Sequence, residues 1–476
     1  MLDFPRSRVA WLWLVPAVVA LIATAGRAHD DHPHKPKKVA DAALYRPSAM
    51  PDRIILTWVD DPATTQAVTW RTSTDVVDAW AEIAEADAGP GFVKAARKTR
   101  ASTQHLKSNL NEAHYHTARF SGLKPSTRYA YRVGDGANFS EWFQFSTASI
   151  RPEPFSFIYF GDAQNEVRSM WSRVAREAYR DAPRARFMIH AGDLINSAES
   201  DAEWGEWFAA GHWLNAMVPS VPVLGNHEMA KGKEKDAPRR VSHHWRPQFA
   251  LPENGPNGLE ETCFTLVYQN LRIVGLNSNE QLPQQAEWLD RVLAANESPW
   301  VVCTFHHPIY STSQQRDNSA LRSAWKPVFD KYKVDLVLQG HDHSYGRTGL
   351  HPSLVTSENV GTGVNQLDPE TGTVYVVSVS GPKMYNLKSQ AVMKRAGENT
   401  QLYQIIHIDG ESLRYEARTA VGEVYDAFTL RKRPGAVNEL IEQVPPTPER
   451  RKPPEPPRPA ADSKKPVTAK ATAVGK

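Results

Sequence analysis

The chain has 476 residues, a formal net charge of +3, 41% hydrophobic residues and fourteen tryptophans. That length suffices for two domains with real cores. The nearly balanced charge argues against a nucleic-acid binder, for which a clustered basic face is expected.

The N-terminus reads as an export signal. Arg6 and Arg8 form a positive start, Val9 to Ala25 is apolar, and Ala23-Thr24-Ala25 offers a small-residue cleavage site, with Gly26-Arg27-Ala28 as a second. Residues 1–28 are therefore read as a signal peptide of a secreted or periplasmic protein. An uncleaved segment would be a membrane anchor, although the apolar run is at the short limit for a span. No later apolar run is long enough, so no stable membrane span is expected. Residues 29–50 open on a His- and Lys-rich stretch and read as a solvated linker.

Residues 51–148 read as an all-β domain. Ile54 to Trp58, Ala67 to Trp70 and Ala79 to Ile83 are short strand-like runs between turn residues. Leu123 to Val133 alternates after a turn, which places Tyr129 and Tyr131 on one face. His114 and His116 also share a face, but a surface pair without a third ligand carries no site.

Arg151-Pro152-Glu153-Pro154 is the joint to a second region, residues 152–432, in which strands and helices alternate in α/β fashion. Strands are predicted at Phe155 to Phe160, Phe187 to Ala191, Val221 to Leu224, Leu271 to Leu276, Trp300 to Phe305 and Val334 to Leu338. Val167 to Tyr179 has a helical pattern. Tyr403 to Ile408 and Leu413 to Arg418 read as a hairpin across Asp409-Gly410-Glu411. Cys263 and Cys303 lie in or beside buried strands, where a free thiol is ordinary, although an exported protein could pair them. Folding is expected to end near Leu430. Residues 433–476, rich in Pro, Glu, Arg and Lys, are expected to form a disordered tail.

Five short segments carry the chemistry: Gly161-Asp162-Ala163-Gln164, Gly192-Asp193-Leu194-Ile195-Asn196, Gly225-Asn226-His227-Glu228, His306-His307-Pro308 and Gly340-His341-Asp342-His343. Each follows a short apolar run, so each reads as the loop leaving a strand. Loops at one edge of an α/β sheet can converge. Asp, Asn and His are the oxygen and nitrogen donors that a pair of metal ions needs.

The order of these segments resembles the calcineurin-like metallophosphoesterases, and among them the purple acid phosphatases. The likeness runs from about Arg53 to Leu430. It implies two mixed sheets between helices, preceded by a fibronectin type III-like sandwich whose corner is the Leu123 to Val133 segment. It also implies two metals about 3.5–4 Å apart. By motif position Asp193 bridges them, Asp162 and His343 hold the first, and Asn226, His306 and His341 hold the second. His227 would face a small-molecule phosphoester as general acid, or else orient Asn226 or Asp193. The implied reaction is hydrolysis of a phosphate monoester by in-line attack of a metal-held hydroxide. A phosphodiesterase or nucleotide hydrolase shares the same core, and a non-catalytic surface-binding protein is a third reading.

Neighbouring positions are candidate ligands or supports. Glu228 is expected to orient His227, and His307 to brace His306. Tyr345 and Arg347 match a Tyr-x-Arg that follows this motif in the family, with a loop brace as the alternative. His190 reads as a core histidine. The family's ferric-binding Tyr falls at Asn196, and Gln164 stands where relatives carry Gly or His. Either amide could supply an oxygen. A ferric tyrosinate is therefore not expected, and the metals implied are Fe, Mn or Zn, with Mg also compatible.

Overall fold

The computed structural model describes residues 36–232, 237–314, 316–350, 372–387, 392–433 and 435–451. The signal segment, the start of the linker up to residue 35, and residues 452–476 lie outside the described residues. Contacts divide the chain into a short unit, Met1–Ala40, and a main unit, Asp41–Lys476, that holds every element below.

Two antiparallel four-stranded sheets form the N-terminal part. One runs in the order Asp52–Thr57, Gln66–Thr72, Glu112–Phe120, Ser102–Lys107; the other Arg97–Arg100, Trp80–Glu85, Arg128–Gly134, Phe143–Ser146. Alternation sends Leu56, Val68 and Trp70 of the first sheet and Ile83, Tyr131 and Phe145 of the second into one core. The Tyr129 hydroxyl accepts the Lys124 N–H at 2.8 Å, a tyrosine corner of the kind sandwich folds use. Tyr131 donates to the Ala216 carbonyl at 2.6 Å and so ties the sandwich to a helix of the larger region.

That region holds two mixed seven-stranded sheets. The first runs Ser220–Pro222, Met188–His190, Phe155–Phe160, Leu402–Asp409, Ser412–Thr419, Val424–Arg431, Glu439–Glu442. The second runs Phe264–Tyr268, Leu271–Gly275, Trp300–Thr304, Leu336–Gln339, Val374–Val377, Tyr345–Thr348, Met393–Gly397. Period-2 alternation explains their stacking. Ile273, Val302 and Leu338 share a core with Phe155, Phe157 and Ile189 of the first sheet. Their chain neighbours Val274, Cys303 and Val337 point the other way, into a core with the helices Leu282–Ala294 and Ser319–Tyr332. Both cysteines are buried free thiols. The first sheet is parallel over its first three strands, and the second over the four from Leu271–Gly275 to Val374–Val377. The loops leaving these parallel strands carry the five motif segments.

Two expectations change. The helix predicted from Val167 begins as a π turn, Val167–Trp171, and becomes regular over Ser172–Asp181. The chain does not stop folding near Leu430. Glu439–Glu442 adds an edge strand to Val424–Arg431. Beyond it, the Thr447 carbonyl accepts from Arg395 at 2.6 Å, the Glu449 carboxylate from the Ala396 N–H at 2.7 Å, and the Arg450 carbonyl from the Glu398 N–H. Composition misled here because an edge strand needs only backbone pairing, and the dense run of prolines begins at Pro445, past the ladder.

Candidate metal centre

The loops meet because their backbones cross closely. Gly192 has φ of +84°, and a Cβ there would lie 2.6 Å from the Gly225 nitrogen and 2.8 Å from His306 Nδ1. Only glycine lets the second, third and fourth loops stack in this way. Asp193, His341 and His343 themselves have positive φ, of 49°, 76° and 46°. Such backbone is costly for residues with side chains and collects at functional sites.

Asp193 is the shared member of two clusters of potential ligands, Asp193–His306–His341 and Asp162–Asp193–His343. In the first, His306 Nε2 lies 3.1 Å from Asp193 Oδ2, 3.1 Å from His341 Nδ1 and 3.2 Å from Asn226 Oδ1. In the second, His343 Nε2 lies 3.1 Å from Asp162 Oδ2, a buried oxygen that accepts no hydrogen bond. The other ring nitrogens are anchored on carbonyls: His306 Nδ1 on Ala191 at 2.9 Å and His343 Nδ1 on Lys383 at 3.0 Å. Backbone carbonyls behind imidazoles fix the tautomer that presents Nε2 to an ion. Facing lone pairs with too few protons between them call for positive charge, so these residues fit a pair of metal ions.

The electrostatics agree. Burial opposes the Asp193 charge, yet His306 and His227 hold its carboxyl well below the ordinary range. Burial likewise opposes charge on His306, but Asp193 and Asp162 raise it to about 9. A proton on His306 answers the same carboxylates that a metal would neutralise. Burial and His306 press His341 far below its usual range, which keeps it a neutral donor.

His227 stands at the rim, with its side chain 27% exposed. Its Nδ1 meets the Asn196 carbonyl at 2.5 Å, which leaves Nε2 toward the centre, 3.9 Å from Asp193 Oδ2. Gln164 lies inside: its Nε2 is 2.7 Å from Asp193 Oδ2 and 3.1 Å from His343 Nε2, and its Oε1 is buried without a partner. Exchanging the two ends of the amide would turn the oxygen toward the first cluster.

Of four supporting residues, Asn196 and Glu228 are placed otherwise than expected, and Tyr345 and Arg347 take the bracing role that was their alternative. Asn196 contributes its backbone carbonyl; its side-chain Nδ2 lies 3.5 Å from Ser197 Oγ. Glu228 does not orient His227. Its carboxylate accepts the N–H groups of Asp193, Leu194 and Gly225 at 2.7–2.9 Å, clamping the second loop to the third. Burial and the nearby Asp193 push its carboxyl up to about 8. Tyr345 and Arg347 turn away from the clusters, because the side chains of that strand alternate and these two face Asp426 on the other sheet. His307 and His190 are as read: His307 packs edge-on against His306 with ring centres 5.1 Å apart and bonds Ser278 at 2.8 Å, and His190 stacks on Phe160.

Three groups had no local sequence signal. Asp342, between two predicted ligands, accepts from Ser311 at 2.6 Å and the Thr312 N–H at 2.5 Å, bracing its own loop. Tyr385 packs against His343 with ring centres 4.4 Å apart. Arg316 donates to the His341 carbonyl at 2.8 Å and lies over the Tyr385 ring. A fourth residue, Arg239, belongs to a cationic loop run that the sequence does show, and it reaches the Asn226 carbonyl at 3.0 Å and joins His307 and Asn279 in lining an open cleft beside the centre.

Residues 51–147 match the family described as the purple acid phosphatase N-terminal domain, and residues 156–345 match the calcineurin-like phosphoesterases. An uncharacterised protein of Mycobacterium tuberculosis is 27% identical over 369 residues, spanning 67% of each chain. Purple acid phosphatase 15 of Arabidopsis thaliana is 25% identical over 309 residues, 57% of this chain and 54% of that one. The purple acid phosphatase PPD1 of yellow lupin (Lupinus luteus) shares the fold at a TM-score of 0.66 with 18% identity, over 80% of this chain and 74% of that one. Over residues 156–345 the chain is thus calcineurin-like phosphoesterase-like, similar to a class that uses a dinuclear metal centre. Within that class it is purple acid phosphatase-like, carrying that group's N-terminal domain ahead of the catalytic one.

Proposed function

We propose that the protein is an exported phosphoesterase that hydrolyses small phosphate monoesters at a dinuclear metal centre. The observation that carries this reading is that Asp193 belongs to both ligand clusters at once, as a bridge between two ions must. Asp162 and His343, with Gln164, would hold the first ion; Asn226, His306 and His341 would hold the second. Bound ions would polarise the phosphoryl oxygens and make water nucleophilic near neutral pH.

The chain's own residues do the rest. Glu228 holds the loop of Asp193 against the loop of Asn226, so the bridge is set before any ligand arrives. His227 keeps Nδ1 on the Asn196 carbonyl, a contact that also accepts a proton's worth of charge on the ring. Its Nε2 is then the atom that hands a proton to the leaving alkoxide. Arg239 and Arg316, both tied to carbonyls of the second-metal loops, offer cations to the non-bridging oxygens of a doubly charged monoester. Export rests on the charged start and apolar run of residues 1–28.

The test combines metal analysis with rates on p-nitrophenyl phosphate and on its bis-ester. Two ions per chain at this centre and a faster monoester rate are expected. Asp193→Ala should abolish hydrolysis and most metal binding, since both ions lose a ligand. Retained activity with a full metal complement would sink the assignment, and a faster diester rate would move the substrate class.

A further inference from the structure

A second group of ligating side chains lies outside the centre. Glu199 precedes the helix Asp201–Met217, and His243 and His244 precede the short helix Trp245–Gln248. One donor atom from each of the three lies within 4.8 Å of the others. The Glu199 carboxylate meets His243 Nδ1 directly, and the two imidazole rings are 4.3 Å apart.

His244 is the revealing member. Its side chain is 0% exposed, and neither ring nitrogen has a hydrogen-bond partner. An imidazole whose Nδ1 is buried without a partner is costly, and packing against Trp204 does not repay it. Its Nε2 faces Asp201 Oδ1 at 3.6 Å, and that carboxylate is held from behind by Arg53 at 2.6 Å. A histidine with a carboxylate at one ring nitrogen is the usual arrangement of a metal-bound imidazole, the other nitrogen taking the ion. An ordinary ion pair does not account for the group. Arg240 approaches Glu199 at 3.5 Å, but its side chain is 61% exposed, and such a pair adds little.

We propose that Glu199, His243 and His244 form a separate metal site for a zinc-like first-row divalent ion, distinct from the dinuclear centre. Two imidazoles and a carboxylate are a zinc-type donor set, with a fourth position left for water. Bonds of about 2.0–2.2 Å need only small adjustments of the three side chains, Glu199 and His243 drawing apart to admit the ion and His244 closing on it. Glu199 and His243 are each about one-third exposed, so the ion has an entry path.

The ion would fasten two segments that also touch the catalytic loops. Ser242 Oγ already bonds the Ala198 carbonyl at 2.6 Å, and the Ser242 N–H bonds Glu228. The chain just before Ala198 supplies the Asn196 carbonyl that holds His227. This site uses none of the six residues of the dinuclear centre, so it stands whether or not that centre hydrolyses monoesters.

The experiment is a titration of the metal-stripped full-length protein with Zn²⁺ alone, with bound zinc counted after gel filtration. Wild type should hold one more zinc per chain than either His243→Ala or the near-isosteric Glu199→Gln. Far-UV circular dichroism should show both variants folded. X-ray absorption of the zinc lost in Glu199→Gln, taken as a difference spectrum, should show imidazole ligation. Equal stoichiometry in the wild type and the folded Glu199→Gln variant would overturn the proposal.

Discussion

Asp426→Ala should weaken the fold while sparing the chemistry of the molecules that remain folded. Arg347, on the strand Tyr345–Thr348, donates through Nε and Nη2 to both oxygens of Asp426 at 2.9 Å, and Tyr345 donates to the same carboxylate at 2.7 Å. Asp426 lies on Val424–Arg431 of the other sheet, so the pair bolts the two sheets together just behind His343. Both side chains are 0% exposed, whereas the second partner of Arg347, Glu442, is 43% exposed. Removing the buried carboxylate leaves a buried guanidinium with only the wet one, a loss of about 3–5 kcal/mol. For roughly 400 ordered residues the unfolding entropy converts this to a fall of about 4–6 °C in Tm. Glu442→Gln loses only a solvent-screened partner, so about 1 kcal/mol or less and a shift near 1 °C are expected. Thermal melts of the metal-loaded protein, with turnover and metal content measured at room temperature, check both numbers. A variant at Asp426 that melts like wild type but no longer turns over would refute the brace and return Tyr345 and Arg347 to the substrate.

His227→Ala should lower turnover by about 10²–10⁴-fold with metal content near wild type, as loss of a general acid does; loss of metal would recast it as a support of the ligands. Truncation after Val437 should lower the melting temperature, because it removes the strand Glu439–Glu442 and the contacts of Glu442, Glu449 and Arg450; an unchanged melt would show that this segment does not dock in solution. The iron-loaded protein should lack the intense visible band of a ferric tyrosinate, since Asn196 stands at the motif's tyrosine position. An intense band that disappears in Tyr385→Phe would identify Tyr385, stacked on His343, as a replacement phenolate and would refute that expectation.

The ligand loops were legible because their signal is local and redundant. A buried strand announces itself as an apolar run, and Asp162, Asp193, Asn226, His306 and His341 each fall within a few residues of its end. The hairpin over Leu402–Asp409 and Ser412–Thr419 was legible for the same reason, with Gly410 at φ of +53° in its turn. What escaped was everything decided across long chain separations. Nothing near Glu228 says that it will accept N–H groups 34 and 35 residues away. Nothing near Arg347 names Asp426 or Glu442, 79 and 95 residues on. Glu199 and His243 escaped likewise, because their pairing depends on two loops brought together by the fold.

Asn196 shows why a motif position and a side-chain role need not coincide. Aligned by motif, it is a missing metal ligand. In the structure the position works through its carbonyl, which holds His227 Nδ1, and through its N–H, which Glu203 accepts at 2.6 Å. Any residue offers those two groups. A change of side chain at this position can therefore alter the first metal without displacing His227. The colour of the iron form and the proton-donor role of His227 are for that reason separate questions. On the proposed function, a colourless but active protein is the expected outcome, and Gln164, whose amide sits between Asp193 and His343, would compensate for the missing phenolate only with its two ends exchanged so that Oε1 faces the ion.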